Sequence, residues 1–404
     1  MRKIIMSVAA FMFFINVVKA QTDSTASGKF KIDQVDFVSS YYHQNGNNSA
    51  VTGGVGSEKL DDFGNSIDLQ MSKYDKNLNK HLLNFELGVD VYSSASSDKI
   101  DPSTISSASS GDKRIYPSAS YLFENTKRKY SLGGGLSFSK EFDYTSVGGN
   151  LVYSKATKDG NREFTAKASV FLDTWKIILP IELRNTNNNN FKYKQEESAP
   201  RNSYNLALGL TQVINKELQV SLLADIGYQT GQLGTAYQRV YFDNTTENSA
   251  TPKVYSEKLP DHRFKLPVGL RANYFLTDRI ILRSFYRYYT DSWKLTAHTA
   301  ELEVPYKITP FISVAPYYRF YSQNGVDYFK PKGEHMLSDN EEYYTSDYDL
   351  SKFTSNMVGA NFRIMSTQGL LGIKVLNTLE LRYGYYSRSN GLKSHLVTLA
   401  FKFK

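Results

Sequence analysis

Charged side chains alternate with apolar ones in several short segments of the chain. The clearest case pairs two sets of interleaved positions: Arg279, Arg283, Arg287 and Asp291 on one side, and Ile280, Leu282, Tyr286 and Tyr288 on the other. Successive side chains of a β-strand point to opposite faces, so this spacing gathers the charges on one face. Guanidinium groups in the core of a soluble sheet would be costly. The spacing therefore predicts a charged face in contact with water, which could attract or steer ions.

If such strands close into a ring, acidic and basic side chains would line two opposite walls of its lumen. Opposed walls create a transverse field that favours small polar or charged solutes. The alternative is local pairing, because Glu301 and Glu303 fall between the arginines of the neighbouring strands, and the two arrangements can coexist. Inward positions also include Glu124, Lys265 and Arg363. The candidates for lining a pore are Arg271, Arg279, Arg283, Arg287, Arg319, Asp68, Glu86 and Asp90.

The same alternation argues against catalysis. His298 precedes Thr299 and His395 follows Ser394. Adjacent side chains of a strand point to opposite faces, so neither hydroxyl can hydrogen-bond to the neighbouring histidine and orient it for catalysis. No two histidines have metal-ligand spacing, and the chain has no cysteine. We expect a protein that is not an enzyme, with no catalytic residue, no metal and no cofactor.

Short period-two segments separated by turn residues are typical of an all-β fold, a transmembrane antiparallel β-barrel. We predict about 16 strands, within a range of roughly 14 to 18. Joints after even-numbered strands are short, and many joints after odd-numbered strands are long and polar, as in barrels with short periplasmic turns and long external loops. The predicted strands are 33–43, 65–75, 81–94, 113–125, 129–142, 144–157, 162–173, 203–213, 217–230, 264–276, 279–291, 293–307, 311–322, 354–366, 375–388 and 392–404.

Two segments fit this assignment of strands poorly. The apolar stretch from Ile177 to Leu183 falls in a predicted long loop, where it could extend the seventh strand or fold into the lumen as a constriction. The alternation slips phase around Trp293 to His298, which suggests a β-bulge.

The first residues predict export. Arg2 and Lys3 precede an apolar stretch, and Val18 to Ala20 is a plausible cleavage site, so residues 1–20 are predicted to be a signal peptide. Residues 21–404 would then form a single barrel domain with long external loops. We expect it in the outer membrane of a Gram-negative bacterium.

Composition agrees with a membrane barrel. Aromatic residues make up 14% of the chain, including 30 Tyr, and amphipathic rings suit membrane interfaces. Without Arg2, Lys3 and Lys19 the formal charge falls from +8 to +5, and no basic run stands out, so nucleic acid is not an expected partner. The expected partners are outer-membrane lipid, the barrel-insertion machinery and small polar solutes.

Four stretches carry a resemblance to a known family: Asn48 to Lys59, Ser94 to Ser110, Arg263 to Tyr289 and Tyr343 to Phe353. Together they resemble domain-of-unknown-function family 3570, a family of predicted outer-membrane barrels. The last strand also resembles the terminal signal by which outer-membrane barrels are recognised for insertion, although Lys404 follows the final Phe403. The resemblance implies a fold and a compartment, and no reaction.

The sequence therefore favours a porin-like channel for small polar or charged solutes. The alternative is a barrel with no transport role, whose external loops, such as 95–112 and 323–353, bind a partner or a surface ligand. Reversing the charge of Arg283 or Arg287 would separate the two: it should change ion selectivity in a pore and destabilise a paired wall.

Overall fold

A computed structural model of the chain describes residues 28–93, 111–177, 197–243 and 253–404. Sixteen strands of these residues form one antiparallel sheet. We number them β1 (Lys31–Asn45), β2 (Leu60–Tyr74), β3 (Lys80–Ser93), β4 (Gly111–Asn125), β5 (Tyr130–Lys140), β6 (Tyr144–Ala156), β7 (Arg162–Ile177), β8 (Glu197–Val213), β9 (Leu218–Gly231), β10 (His262–Phe275), β11 (Ile281–Asp291), β12 (Thr296–Glu303, continued by Tyr306–Lys307), β13 (Ile312–Gln323), β14 (Phe353–Met365), β15 (Leu376–Arg388) and β16 (Lys393–Phe403).

The sheet closes on itself. β1 pairs with β2 along one edge, where Phe37 lies opposite Ile67, and with β16 along the other, where Phe37 lies opposite Phe401. Closure leaves no open edge, and in a lipid bilayer every strand must find its backbone hydrogen bonds within the sheet. The predicted 16-strand antiparallel β-barrel is confirmed.

Alternation gives the barrel an apolar outer face. Leu136 and Leu151 are 73% and 67% exposed, and many other large apolar side chains on the same face are also exposed. A continuous apolar surface of this extent is stable only against lipid. Among the described residues no helix is long and apolar enough to span a membrane.

Histidine and tyrosine side chains pair on the outer face near the strand ends. The Tyr286 hydroxyl lies 2.7 Å from His298 Nδ1, and the Tyr383 hydroxyl lies 2.9 Å from His395 Nδ1. Amphipathic rings of this kind suit the boundary between lipid and water. These histidines are therefore part of the outer surface and not of a site in the lumen.

The two ends of the barrel differ, as the sequence predicts. Short turns join β2 to β3, β4 to β5, β6 to β7, β8 to β9 and β10 to β11, and both ends of the barrel chain lie on this side. Longer connections follow β1, β3, β7, β9 and β13 at the opposite end, and those after β3 and β7 lie outside the described residues. Of the apolar stretch from Ile177 to Leu183, only Ile177 is described, as the last residue of β7; residues 178–183 and the predicted signal peptide lie outside the described residues.

The predicted bulge around Trp293 is wrong. The chain makes a tight turn there instead, and the Asp291 carboxylate accepts hydrogen bonds from the backbone N–H groups of Trp293 and Leu295. Lys294 has a φ of 62°, the left-handed conformation of a turn. The phase of the alternation slips because one strand ends and the next begins. β12 is interrupted at Val304 and Pro305, and the proline has no N–H to donate.

Candidate functional site

One wall of the lumen is acidic. The sheet register sets Asp36 directly opposite Asp68, and Asp68 directly opposite Glu86, on the face away from the apolar belt. Neutral amides separate these like charges: Gln34 Nε2 donates to Asp36 at 2.7 Å, and Asn84 Nδ2 donates to Asp68 at 2.8 Å. The row of carboxylates across β1, β2 and β3 gives this wall a negative potential.

The opposite wall carries arginines that are partly paired. Arg283 lies 3.3 Å from Glu303, Arg319 lies 2.6 Å from Glu301, and Arg363 lies 3.2 Å from Glu380. Glu301 and Glu303 on β12 thus contact arginines on β13 and β11, which is the local pairing considered as an alternative. Arg283 and Arg319 are about half exposed, with side-chain exposures of 50% and 47%, so water reaches these pairs.

Arg271 and Arg287 complete this wall. Within the part of the chain that the structure describes neither forms an ion pair, although the charge of Asp225 on β9 acts on Arg287. Arg287 on β11 is exposed, and its neighbours across the sheet are Gly269 and Thr299. Arg271 on β10 lies with its guanidinium carbon 5.5 Å from the centre of the Phe285 ring. Arginines in ion pairs and arginines without one therefore occur on the same wall.

Seven of the eight predicted pore-lining residues lie on the lumen face of a strand. They are Asp68, Glu86, Asp90, Arg271, Arg283, Arg287 and Arg319. Arg279 lies in the turn between β10 and β11, because β11 begins only at Ile281. Asp36, Asp62 and Glu380 also face the lumen and were not among the predicted candidates. The alternation of polar and apolar residues in β1, β2 and β15 would have predicted these three positions.

Described parts of three loops pack together at one end of the barrel into a body that we call the dome: residues 46–59, 232–243 with 253–261, and 324–352. A small sheet in it pairs Arg239–Asp243 with Lys253–Ser256 and with His335–Met336. Phe242 packs edge-on against Tyr344 at 4.9 Å between ring centres. Lys332 Nζ donates to the Thr52 carbonyl at 2.9 Å, which joins the third loop to the first.

The dome buries carboxyl groups. Glu257 is only 6% exposed, and one of its oxygens accepts a hydrogen bond of 2.6 Å from the Thr345 hydroxyl. Burial raises the pKa of Glu257, and burial together with the charge of Asp349 raises the pKa of Glu58 to about 7. Burial also raises the pKa of Asp347 well above its usual range, helped by the charges of Asp349 and Glu257. Each of these groups holds a proton more tightly in the folded dome than in water.

The dome is anchored to the lumen wall and reaches towards the far side of the mouth. Asp349 pairs with Arg388, which faces the lumen at the end of β15. Burial, helped by the negative charges of Asp143 and Glu141, raises the pKa of the Tyr237 hydroxyl to about 12. Both carboxyls lie in the turn between β5 and β6, so Tyr237 lies near that turn. The dome loops connect β1 to β2, β9 to β10 and β13 to β14, so the dome narrows the space above the basic wall.

No group of three or more metal-ligating side chains occurs within the described ranges. Residues 5–396 match the family described as "Protein of unknown function (DUF3570)". The chain belongs to this family. No curated protein matches the chain.

Solved outer-membrane structures resemble the chain weakly. OmpT of Vibrio cholerae has a TM-score of 0.40 at 10% identity, covering 94% of this chain and 100% of that one. OccK7 (OpdD) of Pseudomonas aeruginosa has a TM-score of 0.37 at 10% identity, covering 93% and 98%. A BenF-like porin from Pseudomonas fluorescens has a TM-score of 0.35 at 10% identity, covering 93% and 99%.

Proposed function

We propose that this DUF3570 protein is an outer-membrane channel, of the porin kind, for small polar or charged solutes. The observation that carries the proposal is the exposed cation of Arg287 on one lumen wall, opposite the carboxylate row of Asp68 and Glu86 on the other. A barrel of sixteen strands is wide enough for an aqueous pore. Charges of opposite sign on opposed walls would orient and select solutes that cross it. Passive passage needs no catalytic group.

Outer-membrane residence belongs to this proposal, and so do export through the leader in residues 1–20 and assembly by the barrel-insertion machinery. The lipid-facing belt around Leu136 and Leu151 supports membrane embedding.

The decisive experiment is single-channel conductance of the refolded protein in a planar bilayer, with two variants on the same strand. Arg287 forms no ion pair with any residue that the structure describes, so Arg287→Glu should move ion preference towards cations at a smaller cost in stability than Arg283→Glu. Arg283→Glu places a second carboxylate beside that of Glu303, so this variant should also lower the free energy of unfolding. If protein that is demonstrably folded and inserted shows no conductance, the channel proposal is overturned.

The dome supports one alternative, a non-transport role in which the loops bind a partner. It has a packed centre that includes Phe242 and the fully buried His335, so it presents a fixed surface. A barrel that is folded and inserted but conducts no ions would favour this alternative.

A further inference from the structure

The lumen wall beside the acidic row is built from small polar side chains. Across β4, β5 and β6 the register aligns Ser120 with Gly135 and Asn150, and Ser118 with Ser137 and Gly148. Larger side chains border these rows. Together they leave a hollow of about 660 Å³ in the wall. We call it the serine recess; its volume lies within the range of small-molecule sites, which is roughly 300–1,000 Å³.

An aromatic ring forms one border of the serine recess. Phe171 on β7 lies opposite Gly148 and faces the lumen, yet it is 36% exposed. A Cβ atom on Gly148 would lie 2.7 Å from Phe171 Cδ1, so the ring lies against the wall where only glycine leaves room. An apolar ring that is open to water on the lumen side offers a flat contact surface to a solute.

The charged side chains that line the serine recess nearly balance: Arg114 and Lys167 are positive and Glu86, Glu141 and Asp173 are negative, a net charge of −1. Arg114 Nε lies 3.0 Å from the Ser139 hydroxyl and 3.7 Å from Glu141. Glu141 also accepts a hydrogen bond of 2.7 Å from the Tyr92 hydroxyl. Asp173 accepts a hydrogen bond from Tyr144. The recess therefore has little net charge left for an ionic ligand.

The hydroxyls on its floor are, by contrast, available. Ser120, Ser137 and Ser146 make no side-chain hydrogen bond with any residue that the structure describes. A serine hydroxyl can donate one hydrogen bond and accept two. Several free hydroxyls beside an exposed ring suit a ligand that has many hydroxyls on its edge and C–H groups on its face.

We propose that the serine recess binds a neutral saccharide of one or two units as it passes through the lumen. The hydroxyls of Ser120, Ser137 and Ser146 would exchange hydrogen bonds with the sugar hydroxyls, and its C–H face would lie on Phe171. This inference deepens the proposed channel function and rests on it for the passage of the solute. Binding itself is a separate property that can be measured without conductance.

Maltose is the probe. Its affinity for the refolded barrel in detergent is measured by titration calorimetry, and its effect on the current is measured in planar bilayers. Phe171→Ala and the double variant Ser120→Ala, Ser137→Ala should each weaken maltose binding by about tenfold, since the first removes the aromatic contact and the second removes two hydroxyl partners. Ser131→Ala is the matched control on β5, because that hydroxyl already bonds to Ser154 at 2.7 Å and lies outside the recess.

The two proposals can fail separately. Steady conductance with no saturable maltose binding, or with the same affinity in Phe171→Ala as in the native chain, would overturn the saccharide site and leave the channel standing. Maltose binding that the recess variants weaken, in a barrel that conducts nothing, would support the site and overturn the channel. Conductance together with binding that only the recess variants weaken is the expected result.

Discussion

The carboxylate of Glu257 accepts a hydrogen bond from the hydroxyl of Thr345, 2.6 Å away, and so joins two loops that are 88 residues apart in the chain. The backbone N–H of Thr235 donates to the other oxygen of Glu257. These bonds stabilise the charged form, but burial outweighs them and raises the pKa of Glu257. The packing of the dome is therefore linked to proton binding at this carboxyl.

We predict that the dome loosens as the pH rises. The pKa values of Glu257 and Glu58 are higher in the folded dome than in an unfolded loop, so the folded dome binds more protons between about pH 4.5 and 7. The stability that these two carboxyls contribute is fully present below about pH 4.5 and falls as the pH rises through that window. Hydrogen exchange of residues 46–59 and 324–352, corrected for the intrinsic rate, should be several-fold faster at pH 8 than at pH 5.

Glu257→Gln tests the origin of this dependence, since the amide imitates the protonated carboxyl. The variant should exchange more slowly than the native dome at pH 8 and show a shallower pH dependence. Glu341→Gln is the control. Although burial opposes it, Lys330 and His335 lower the pKa of Glu341, so its contribution to stability is lost only as the pH falls below about 4.5. Equal protection of the native dome at pH 5 and pH 8 would contradict the prediction.

Neutralising the acidic partners of the basic wall should strengthen its preference for anions. Glu301→Gln and Glu303→Gln leave the charges of Arg319 and Arg283 uncompensated. Because water reaches both pairs, the free energy of unfolding should fall by only about 0–1 kcal/mol. Reversal potentials in a salt gradient measure the shift, with Glu124→Gln on the lumen face of β4 as the control. A shift towards cations, or none, would count against a field set by this wall.

The strands could be predicted from the sequence because lipid outside and water inside impose the strictest alternation that a sheet can have. β11 is the clearest example: its apolar positions at Leu282, Tyr286 and Tyr288 face outward and its arginines face inward. The error at Trp293 came from the same rule, since a tight turn and a bulge both shift the phase by a small number of residues.

The dome and the serine recess were beyond prediction for different reasons. The contact between Glu257 and Thr345 depends on loop packing that no local period encodes. The recess arises because Ser137, Gly148 and Ser120 come together only once the register of three strands is set. Serine and glycine at inward positions look unremarkable in the sequence, since their importance lies in the space that they leave.

The assignment of faces on β5 predicts unequal losses of stability for two adjacent substitutions. Leu136 belongs to the apolar belt and Ser137 to the lumen. Leu136→Arg should lower the free energy of unfolding in lipid vesicles by about 2–4 kcal/mol, because it puts a charge against hydrocarbon near the midplane. Ser137→Arg should cost much less, since its charge reaches water in the lumen. Denaturant titration of the two variants measures the difference, and equal losses would mean that the faces are wrongly assigned.

Because β14 and β15 approach closely at Gly359, adding a single methyl group there should destabilise the barrel. A Cβ atom there would lie 2.2 Å from the Tyr383 carbonyl oxygen and 2.6 Å from the Tyr317 ring, so β14 and β15 would have to separate. Gly359→Ala should lower the free energy of unfolding by about 1–3 kcal/mol. Gly149→Ala is the matched control in β6, because its Cβ would meet nothing nearer than 3.7 Å and should be tolerated. If both substitutions leave denaturation unchanged, Tyr317 does not lie across β14 as described.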